Sequence, residues 1–411
     1  MGGNTLGLFW GRTGLHPLKS LFPWSLRMVL TVIRIILGIL TAASIGYFIF
    51  SILAARRFFS AASPPPSVNY APVSIMIPLC GADFKAYENY ASICRQQYPE
   101  FQMVFGVRDA QDSSVDLVRQ LEADFPQIPI DLVVSGEEIG PNPKVNNLNN
   151  MLPHTRHDII VLLDSDIRLG PDFLKTVIAE LLQNPDGAVT CLYRAGEAPG
   201  IPSTLEAIGI SAEFAPGVLV ANAGGGISFA FGAAIAIGKE TFEAIGGFPA
   251  IAAHLADDYM IGNLVRKAGH PVGLSRYVVE TVLSRLTIGE FFRHQVRWSR
   301  GIRACNPWGH TGSIITNGTV LGLLYLIFSG FSAFGWAVFL AAIVMRFAMA
   351  KAVGIHTLRD EILRRNLHLL PLRDLFSFLI WCTALFGKTV EWRGKKFRLD
   401  KSGTMVPANP R

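Results

Sequence analysis

The stretch IIVLLDSDIRLGP, residues 159–171, decides the fold. An apolar run leads directly into Asp164 and Asp166, so a buried strand is predicted to deliver two carboxylates to the carboxyl edge of a sheet. Ligands bind at that edge in open α/β folds. Two hard oxygen ligands there suit a divalent cation that also holds a diphosphate. Because a strand followed by an Asp turn occurs in many folds, the pair alone does not decide the function.

Short apolar runs rich in β-branched residues recur along the middle of the chain. They are VSIMI (73–77), QMVFGV (102–107), IDLVV (130–134), DIIVLL (158–163) and AVTCL (188–192). Between them, DSSVDLVRQLEADF (112–125) starts with capping side chains and has helical spacing. Strands that alternate with helices predict βαβ units and a mainly parallel sheet. We therefore expect an α/β nucleotide-binding domain over residues 73–307.

Both ends of the chain are apolar. Hydrophobic residues make up 50% of the sequence and charged residues 17%, against about a quarter charged in an ordinary soluble domain. After an N-terminal segment (1–27), residues 28–54 are long enough to cross a bilayer and are followed by a Pro-rich linker (55–72). Residues 308–352 are predicted to form a transmembrane hairpin. Residues 353–411 are predicted to hold an interfacial or re-entrant helix and a basic cytosolic tail.

The charge pattern favours a membrane surface over nucleic acid. The formal net charge is +6, and cations stand beside apolar runs, as at Arg56 and Arg57. Lys and Arg placed there suit anionic lipid headgroups. No nucleic-acid-binding motif is visible in the sequence. The five cysteines form no CxxC pair, which indicates a reducing compartment for the catalytic domain.

Two further acidic motifs are candidates for chemistry. Asp109 follows the run QMVFGV, where the base or ribose of a nucleotide could be held, although a helix cap is the alternative for this segment. Asp257 and Asp258 precede a stretch with helical spacing, and acidic residues are favourable at a helix N-terminus on dipole grounds alone. A split role is expected, in which Asp257 caps the helix and Asp258 acts as general base on an acceptor hydroxyl.

A basic and aromatic segment, RHQVRWSRGIR (293–303), precedes the C-terminal apolar region. His294 and Arg297 could hold a leaving diphosphate, and Trp298 could stack on a sugar or line an acceptor channel. The same pattern is typical of an amphipathic helix on a membrane surface, and one helix can both bind the ligand and lie on the membrane.

The order of these motifs resembles the family 2 glycosyltransferase superfamily, and more narrowly the ceramide glucosyltransferase group with its bacterial hopanoid-modifying relatives. The phrases that carry the resemblance are GEEIGPNPKVNNLNNML, LLDSDIRLGPDFL, ADDYMIG and RHQVRWSRGIR, within residues 73–307. The resemblance implies a GT-A fold, a Rossmann-like nucleotide-diphospho-sugar transferase domain, flanked here by transmembrane helices. His294 stands where the family motif (Q/R)xxRW has Gln or Arg, which weakens any analogy to processive polysaccharide synthases.

The resemblance also assigns roles to individual positions. It implies that the donor is bound by Asp109, Lys144, Asp164 and Asp166, with Mg²⁺ or Mn²⁺ held by Asp164 and Asp166. It implies that Asp258 is the catalytic base. The residues that it places at the diphosphate or the acceptor are His294, Arg297 and Trp298. The predicted reaction is inverting transfer of glucose or N-acetylglucosamine from a UDP-sugar to a hydroxyl of a hopanoid-type or ceramide-type lipid. The predicted location is the bacterial inner membrane, with the catalytic domain in the cytoplasm. The alternatives are a processive polysaccharide synthase and a non-catalytic membrane adaptor.

Overall fold

The computed structural model describes residues 24–61, 70–392 and 395–408. The first 23 residues, and with them most of the predicted N-terminal segment, lie outside the described residues, as do residues 62–69 of the linker.

A mixed sheet of eight strands forms the centre of the catalytic domain. The strands are β1 (Val73–Pro78), β2 (Phe101–Val107), β3 (Ile130–Val134), β4 (Ile159–Leu162), β5 (Ile167–Arg168), β6 (Ala188–Glu197), β7 (Ile235–Gly238) and β8 (Val272–Val282). Their order is β3-β2-β1-β4-β7-β6-β8-β5. The first four are parallel, whereas β7 runs antiparallel to both β4 and β6. All five runs that the sequence analysis assigned to strands lie in this sheet.

Both faces of the sheet are covered, which explains why its central strands are apolar throughout. The flanking helices are α2 (Ala86–Cys94), α3 (Val115–Asp124), α4 (Pro143–Met151), α5 (Phe173–Leu181), α8 (Lys239–Ala244) and α9 (Asp257–Lys267). Ile75 and Phe105 belong to the core on one face, together with Tyr90 from α2. Met76 and Val104 belong to the core on the other face. Alternate residues of β1 and β2 thus serve the two cores.

The remaining helices form an apolar bundle beside the sheet. They are α1 (Trp24–Ser60), α6 (Ile201–Gly209), α7 (Ala215–Ala223), α10 (Ile288–Cys305), α11 (Pro307–Gly312), α12 (Gly318–Phe328), α13 (Ala333–Met349), α14 (Glu361–Arg365) and α15 (Leu370–Leu385). A π-helical turn, Ile210–Phe214, joins α6 to α7, and a longer one, Ala350–Thr357, continues α13.

Five helical stretches in the described part of the chain are long and apolar enough to cross a membrane. They are Leu26–Ser60, Ile201–Ala223, Pro307–Phe328, Ala333–Thr357 and Leu367–Leu385. In Leu26–Ser60 apolar side chains such as Ile35 (57%) and Ile39 (63%) are exposed, as suits a surface that meets lipid. Residues 201–223 lie within the predicted catalytic domain and were not predicted as an apolar helix of this length. This stretch differs from the others because 72% of its most apolar window is buried within the protein.

The C-terminal tail folds into a second, three-stranded sheet. It comprises β9 (Thr389–Trp392), β10 (Lys395–Leu399) and β11 (Met405–Pro407), all antiparallel, in the order β11-β10-β9. Met405 N donates to Ala253 O over 2.7 Å, and Arg300 Nη1 donates to Thr389 O over 2.6 Å. The tail is therefore attached both to the segment before α9 and to α10.

Candidate active site

A cavity of about 1480 Å³ opens at the carboxyl ends of β1 and β4 and continues between the helices of the bundle. Besides residues of the C-terminal sheet such as Trp392, three groups of residues line it. The sheet domain contributes Asp83, Lys144, Asp164, Asp166, Tyr193, Asp257 and Asp258; α10 contributes His294, Gln295, Arg297 and Trp298; the helical bundle contributes Tyr47, Glu206, Glu213, Asn317, Arg373, Ser377 and Trp381. One space thus joins a charged end to an end formed by apolar helices.

The turn after β4 places both predicted carboxylates on the cavity. Asp166 Oδ2 accepts a hydrogen bond from Thr281 Oγ1 over 2.8 Å, which connects this turn to β8. Ser165 Oγ donates to Asp83 Oδ2, which brings in a third carboxylate from the loop after β1. Burial raises the pKa of Asp166 to about 7, and repulsion from Asp164 adds to the rise. The turn therefore carries negative charge that a cation would stabilise.

Lys144 lies between two of the acidic motifs. It stands in the first turn of α4, where the Asn142 side chain caps the helix by accepting from Lys144 N and Val145 N. Its Nζ is 2.5 Å from Asp164 Oδ1 and 3.5 Å from Asp257 Oδ2. Burial by itself would lower the pKa of Lys144, but the carboxylates of Asp164, Asp257 and Asp258 outweigh burial and raise it. Lys144 is consequently a fixed positive charge in the cavity.

Gly232 brings the two acidic motifs together through its backbone. Its N–H donates to Asp258 Oδ2 over 2.8 Å, and its carbonyl accepts from Asp164 N over 3.2 Å. A Cβ at this position would lie 2.7 Å from Asp164 Oδ2 and 3.0 Å from Lys144 Nζ. A side chain at position 232 would therefore displace the Asp164 carboxylate and the Lys144 ammonium.

Asp257 and Asp258 begin α9 and have different surroundings. Asp257 is buried and faces Lys144, whereas Asp258 is half-buried and accepts from Gly232 N and Tyr259 N. Burial raises the pKa of Asp258 to about 6, repulsion from Asp257 adds to this, and attraction to Lys144 opposes it. A carboxylate that takes up a proton near neutral pH is suited to general base catalysis.

Helix α10 presents the predicted basic and aromatic residues to the cavity. It begins with a capping box, in which Thr287 and Glu290 each accept from the other's backbone N–H. His294 Nδ1 lies 3.3 Å from Glu206 Oε2, and its ring centroid is 4.3 Å from that of Trp298. The Arg297 guanidinium lies over the Trp392 ring at 5.7 Å. The amphipathic helix is therefore a wall of the site and also an anchor for the C-terminal sheet.

The structure does not bring Asp109 to the cavity. Its side chain is exposed and accepts from Gln111 N in the turn after β2, while its neighbour Arg108 lines the cavity. A donor-binding role for Asp109 remains a prediction without support from this geometry. Asp83, Glu206 and Glu213 line the cavity but were not among the predicted site residues. Asp83 follows the apolar run of β1 as Asp109 follows β2, and that repeated pattern was the available signal.

The donor atoms around the turn after β4 suit a divalent cation only in part. Among the described residues, no group of three or more His, Cys, Asp or Glu side chains is arranged to hold a metal ion. Asp164 and Asp166 nevertheless fit a cation that takes one or two carboxylates and completes its coordination with substrate phosphates. Burial is the main cause of the raised pKa of Asp166, and a bound cation would relieve the repulsion from Asp164 that adds to it.

Comparison with known proteins identifies the family. The model of glycosyl transferase family 21 matches residues 36–405. The chain belongs to this family. Ceramide glucosyltransferase 1 of Caenorhabditis elegans is 26% identical over 343 residues, which cover 80% of this chain and 72% of the relative. Ceramide glucosyltransferase 3 of the same organism is 23% identical over 349 residues, with coverage of 82% and 74%.

A solved structure shows the same fold. The mannosyltransferase PcManGT of Pyrobaculum calidifontis, in complex with GDP-mannose and Mn²⁺, superposes with a TM-score of 0.54 at 18% identity, covering 87% of this chain and 99% of that one. The predicted GT-A fold is confirmed, and so is the resemblance to the ceramide glucosyltransferase group. The protein is a glycosyltransferase with several apolar helices that fit a membrane protein.

Proposed function

We propose that this glycosyltransferase moves a hexose from a UDP-sugar to a hydroxyl group of a membrane lipid, with inversion at the anomeric carbon. The observation that carries the proposal is the continuous cavity, which joins the Lys144 and carboxylate cluster to a space between apolar helices. A nucleotide sugar matches the charged end, and a lipid head group can enter from the helical end. The ceramide glucosyltransferase relatives support a lipid acceptor.

In the proposed mechanism Asp258 removes the proton of the acceptor hydroxyl. Inversion needs a base on the face of the sugar opposite the leaving group. Asp258 is the candidate because Gly232 N and Tyr259 N orient its carboxylate, and because its raised pKa lets it accept a proton. Asp257, paired with Lys144, remains a structural charge.

The leaving diphosphate is stabilised from the other side of the cluster. Lys144 and Arg297 supply positive charge to its oxygens, with His294 beside them. Asp164 and Asp166 would hold a Mg²⁺ or Mn²⁺ ion, which neutralises developing phosphate charge when bound. Trp298 lines the acceptor side, where its indole can pack on a sugar or on lipid.

Two donor and acceptor pairs are the first to test. One is UDP-glucose with ceramide, as the names of the relatives suggest, and the other is UDP-N-acetylglucosamine with a hopanoid polyol. We propose a bacterial inner membrane as the location of the enzyme. Cations such as Arg56, Arg57 and Arg364 beside the apolar helices support the cytoplasmic side for the catalytic domain.

The test is UDP release by purified protein in detergent, with each donor against each acceptor, and with Asp258→Asn as the matched variant. We expect the wild type to turn over one of the pairs and to lose this turnover when EDTA is added. The Asp258→Asn variant should still bind the donor but turn over at least about 1000-fold more slowly, which is the upper part of the range for a lost general base. Normal turnover by that variant would remove Asp258 from the base role.

Analysis of the product and a measurement of donor binding separate the alternatives. A polymeric product would favour a processive synthase. Absence of donor binding would favour a non-catalytic adaptor, whereas donor binding without transfer would direct the search to other acceptors.

A further inference from the structure

Two carboxylates of the helical stretch Ile201–Ala223 line the cavity although they belong to an apolar, largely buried segment. They are Glu206 and Glu213, seven residues apart, and each has a partner from another helix. Glu206 faces His294 of α10, and Glu213 faces Arg373 of α15. Ionisable groups in apolar segments are costly, and they commonly mark substrate sites.

Glu213 lies in the π-helical turn Ile210–Phe214 that joins α6 to α7. Such turns occur frequently at functional sites because they displace one side chain from the regular helical surface. The next residue, Phe214, packs against Tyr193 of β6 with ring centroids 5.0 Å apart, and Tyr193 also lines the cavity. The turn thus borders the same space as Asp258.

One oxygen of Glu213 is occupied and the other is available. Oε2 accepts from Arg373 Nη2 over 3.0 Å and from Ser377 Oγ over 2.6 Å. Within the described residues no donor reaches Oε1, and 30% of the side chain is exposed although most of its helix is buried. The carboxylate is consequently fixed by one oxygen and presents the other to the cavity.

Arg373 is fixed in turn by its surroundings. Its Nη2 also donates to Gln295 Oε1 over 3.0 Å, and its guanidinium lies over the Phe291 ring at 5.7 Å. At Gly209, a Cβ would lie 2.6 Å from the guanidinium carbon, so the charge packs directly on the backbone of α6. Arg373 is paired with Glu213, and the Glu213 oxygen that faces the cavity can only accept, which favours a ligand that donates a hydrogen bond over an anionic one.

We propose that Glu213 is a specificity-determining residue that binds the acceptor head group through a hydroxyl or N–H group other than the hydroxyl being glycosylated. The subsite takes neutral lipids whose head group carries such a second donor, and Arg373 and Ser377 act as positioning residues. This inference rests on the proposed lipid transfer and adds a selection among lipids to it.

The experiment compares a short-chain ceramide with a short-chain diacylglycerol in binding and in transfer. Ceramide has a secondary hydroxyl and an amide N–H beside its primary hydroxyl, whereas diacylglycerol has no second donor. We expect wild-type protein to prefer ceramide, and Glu213→Gln to reduce that preference about tenfold with unchanged donor affinity, the loss expected for one hydrogen bond to a charged group. Glu213→Asp, which keeps the charge but draws the carboxylate back by one methylene, should show the same direction if the Gln variant does not fold.

Glu361→Gln is the control, because Glu361 is a carboxylate at the start of α14 that pairs with Arg364 and does not line the cavity. Its ceramide preference should equal that of the wild type. An unchanged preference in both Glu213 variants, or an equal loss in the control, would overturn the inference while leaving lipid transfer intact. Ceramide binding that depends on Glu213, without transfer to any tested lipid, would instead support the subsite and count against the proposed reaction. Wild-type protein that does not bind ceramide in preference to diacylglycerol would overturn the subsite, whereas the proposed reaction would still stand if the hopanoid polyol is glycosylated.

Discussion

The ammonium nitrogen of Lys144 lies 2.5 Å from Oδ1 of Asp164. Twenty residues separate the two in sequence, and the contact joins the first turn of α4 to the carboxyl end of β4. The same ammonium faces Asp257, so one cation connects both acidic motifs of the site. We propose it as a contact for the donor phosphates, and its charge lowers the pKa of Asp258.

Replacing Lys144 by Met should shift the pH dependence of the enzyme. Attraction to Lys144 lowers the pKa of Asp258, so its removal lets that pKa rise above about 6. We expect the acidic limb of the rate profile to move up by about one pH unit, and the KM for donor to increase. Lys85→Met is the control, because Lys85 pairs with Glu197 and does not line the cavity. Identical profiles for the two variants would contradict the role of Lys144.

In the wild type, turnover should fall on acidification through about pH 6. The pKa of Asp258 is raised from 3.8 to about 6 by burial and by Asp257, and only the deprotonated carboxylate can accept the hydroxyl proton. The rate at saturating substrate should therefore fall about tenfold for each pH unit below 6. Rates measured between pH 4.5 and 8.5 test this. A constant rate between pH 5 and 7 would point to a different base.

Gly232→Ala should reduce activity about 100-fold while the protein still folds. The added methyl carbon would lie 2.7 Å from Asp164 Oδ2 and would displace the carboxylate and Lys144. A misplacement of this size commonly costs about 100-fold in rate. Gly238→Ala is the matched control on the following strand, where the nearest atom would be at an ordinary 3.6 Å. Both variants are compared by donor binding and by transfer rate, and near-normal donor binding and transfer by Gly232→Ala would show that the cluster tolerates the displacement.

The ion pair between Arg346 and Asp374 should matter for stability and not for chemistry. Their side chains are 3% and 5% exposed, at a distance of 2.7 Å, and neither lines the cavity. Arg346→Met leaves Asp374 as an uncompensated buried charge and should reduce the free energy of unfolding by about 3–5 kcal/mol. The double variant Arg346→Met, Asp374→Leu should recover most of that loss. Thermal unfolding in detergent measures the stability of the single and the double variant. A single variant as stable as the wild type would show that the ion pair contributes little to stability.

Trp392→Ala should weaken donor binding through Arg297. The indole of Trp392 lies under the Arg297 guanidinium at 5.7 Å, and both residues line the cavity. We expect the donor KM to rise about threefold to tenfold, the range for an exposed to partly desolvated cation–π contact. Trp392→Phe, which keeps an aromatic face, should lie between the wild type and the Ala variant. A donor KM that does not change would show that the C-terminal sheet does not contribute to donor binding.

The strands and the main acidic motifs were predictable from the sequence because they depend on local patterns. The apolar run of β4 followed by Asp164 and Asp166 specifies a strand end, and the structure places Lys144 and Asp258 at that same edge. Helix Ile201–Ala223 was harder to identify, because Glu206, Glu213 and Pro216 interrupt its hydrophobicity. The π-helical turn and the Arg373 contact depend on tertiary packing between distant segments, which a linear pattern does not encode.

The cavity takes wall residues from Tyr47 near one end of the chain to Ala408 near the other. Synthesis proceeds from the first to the last of these, so the reaction chamber is incomplete until the final strand has left the ribosome. During that time the apolar helices are already entering the bilayer. A fragment limited to the central sheet would lack the residues of α10, of the helical bundle and of the C-terminal sheet that complete the cavity.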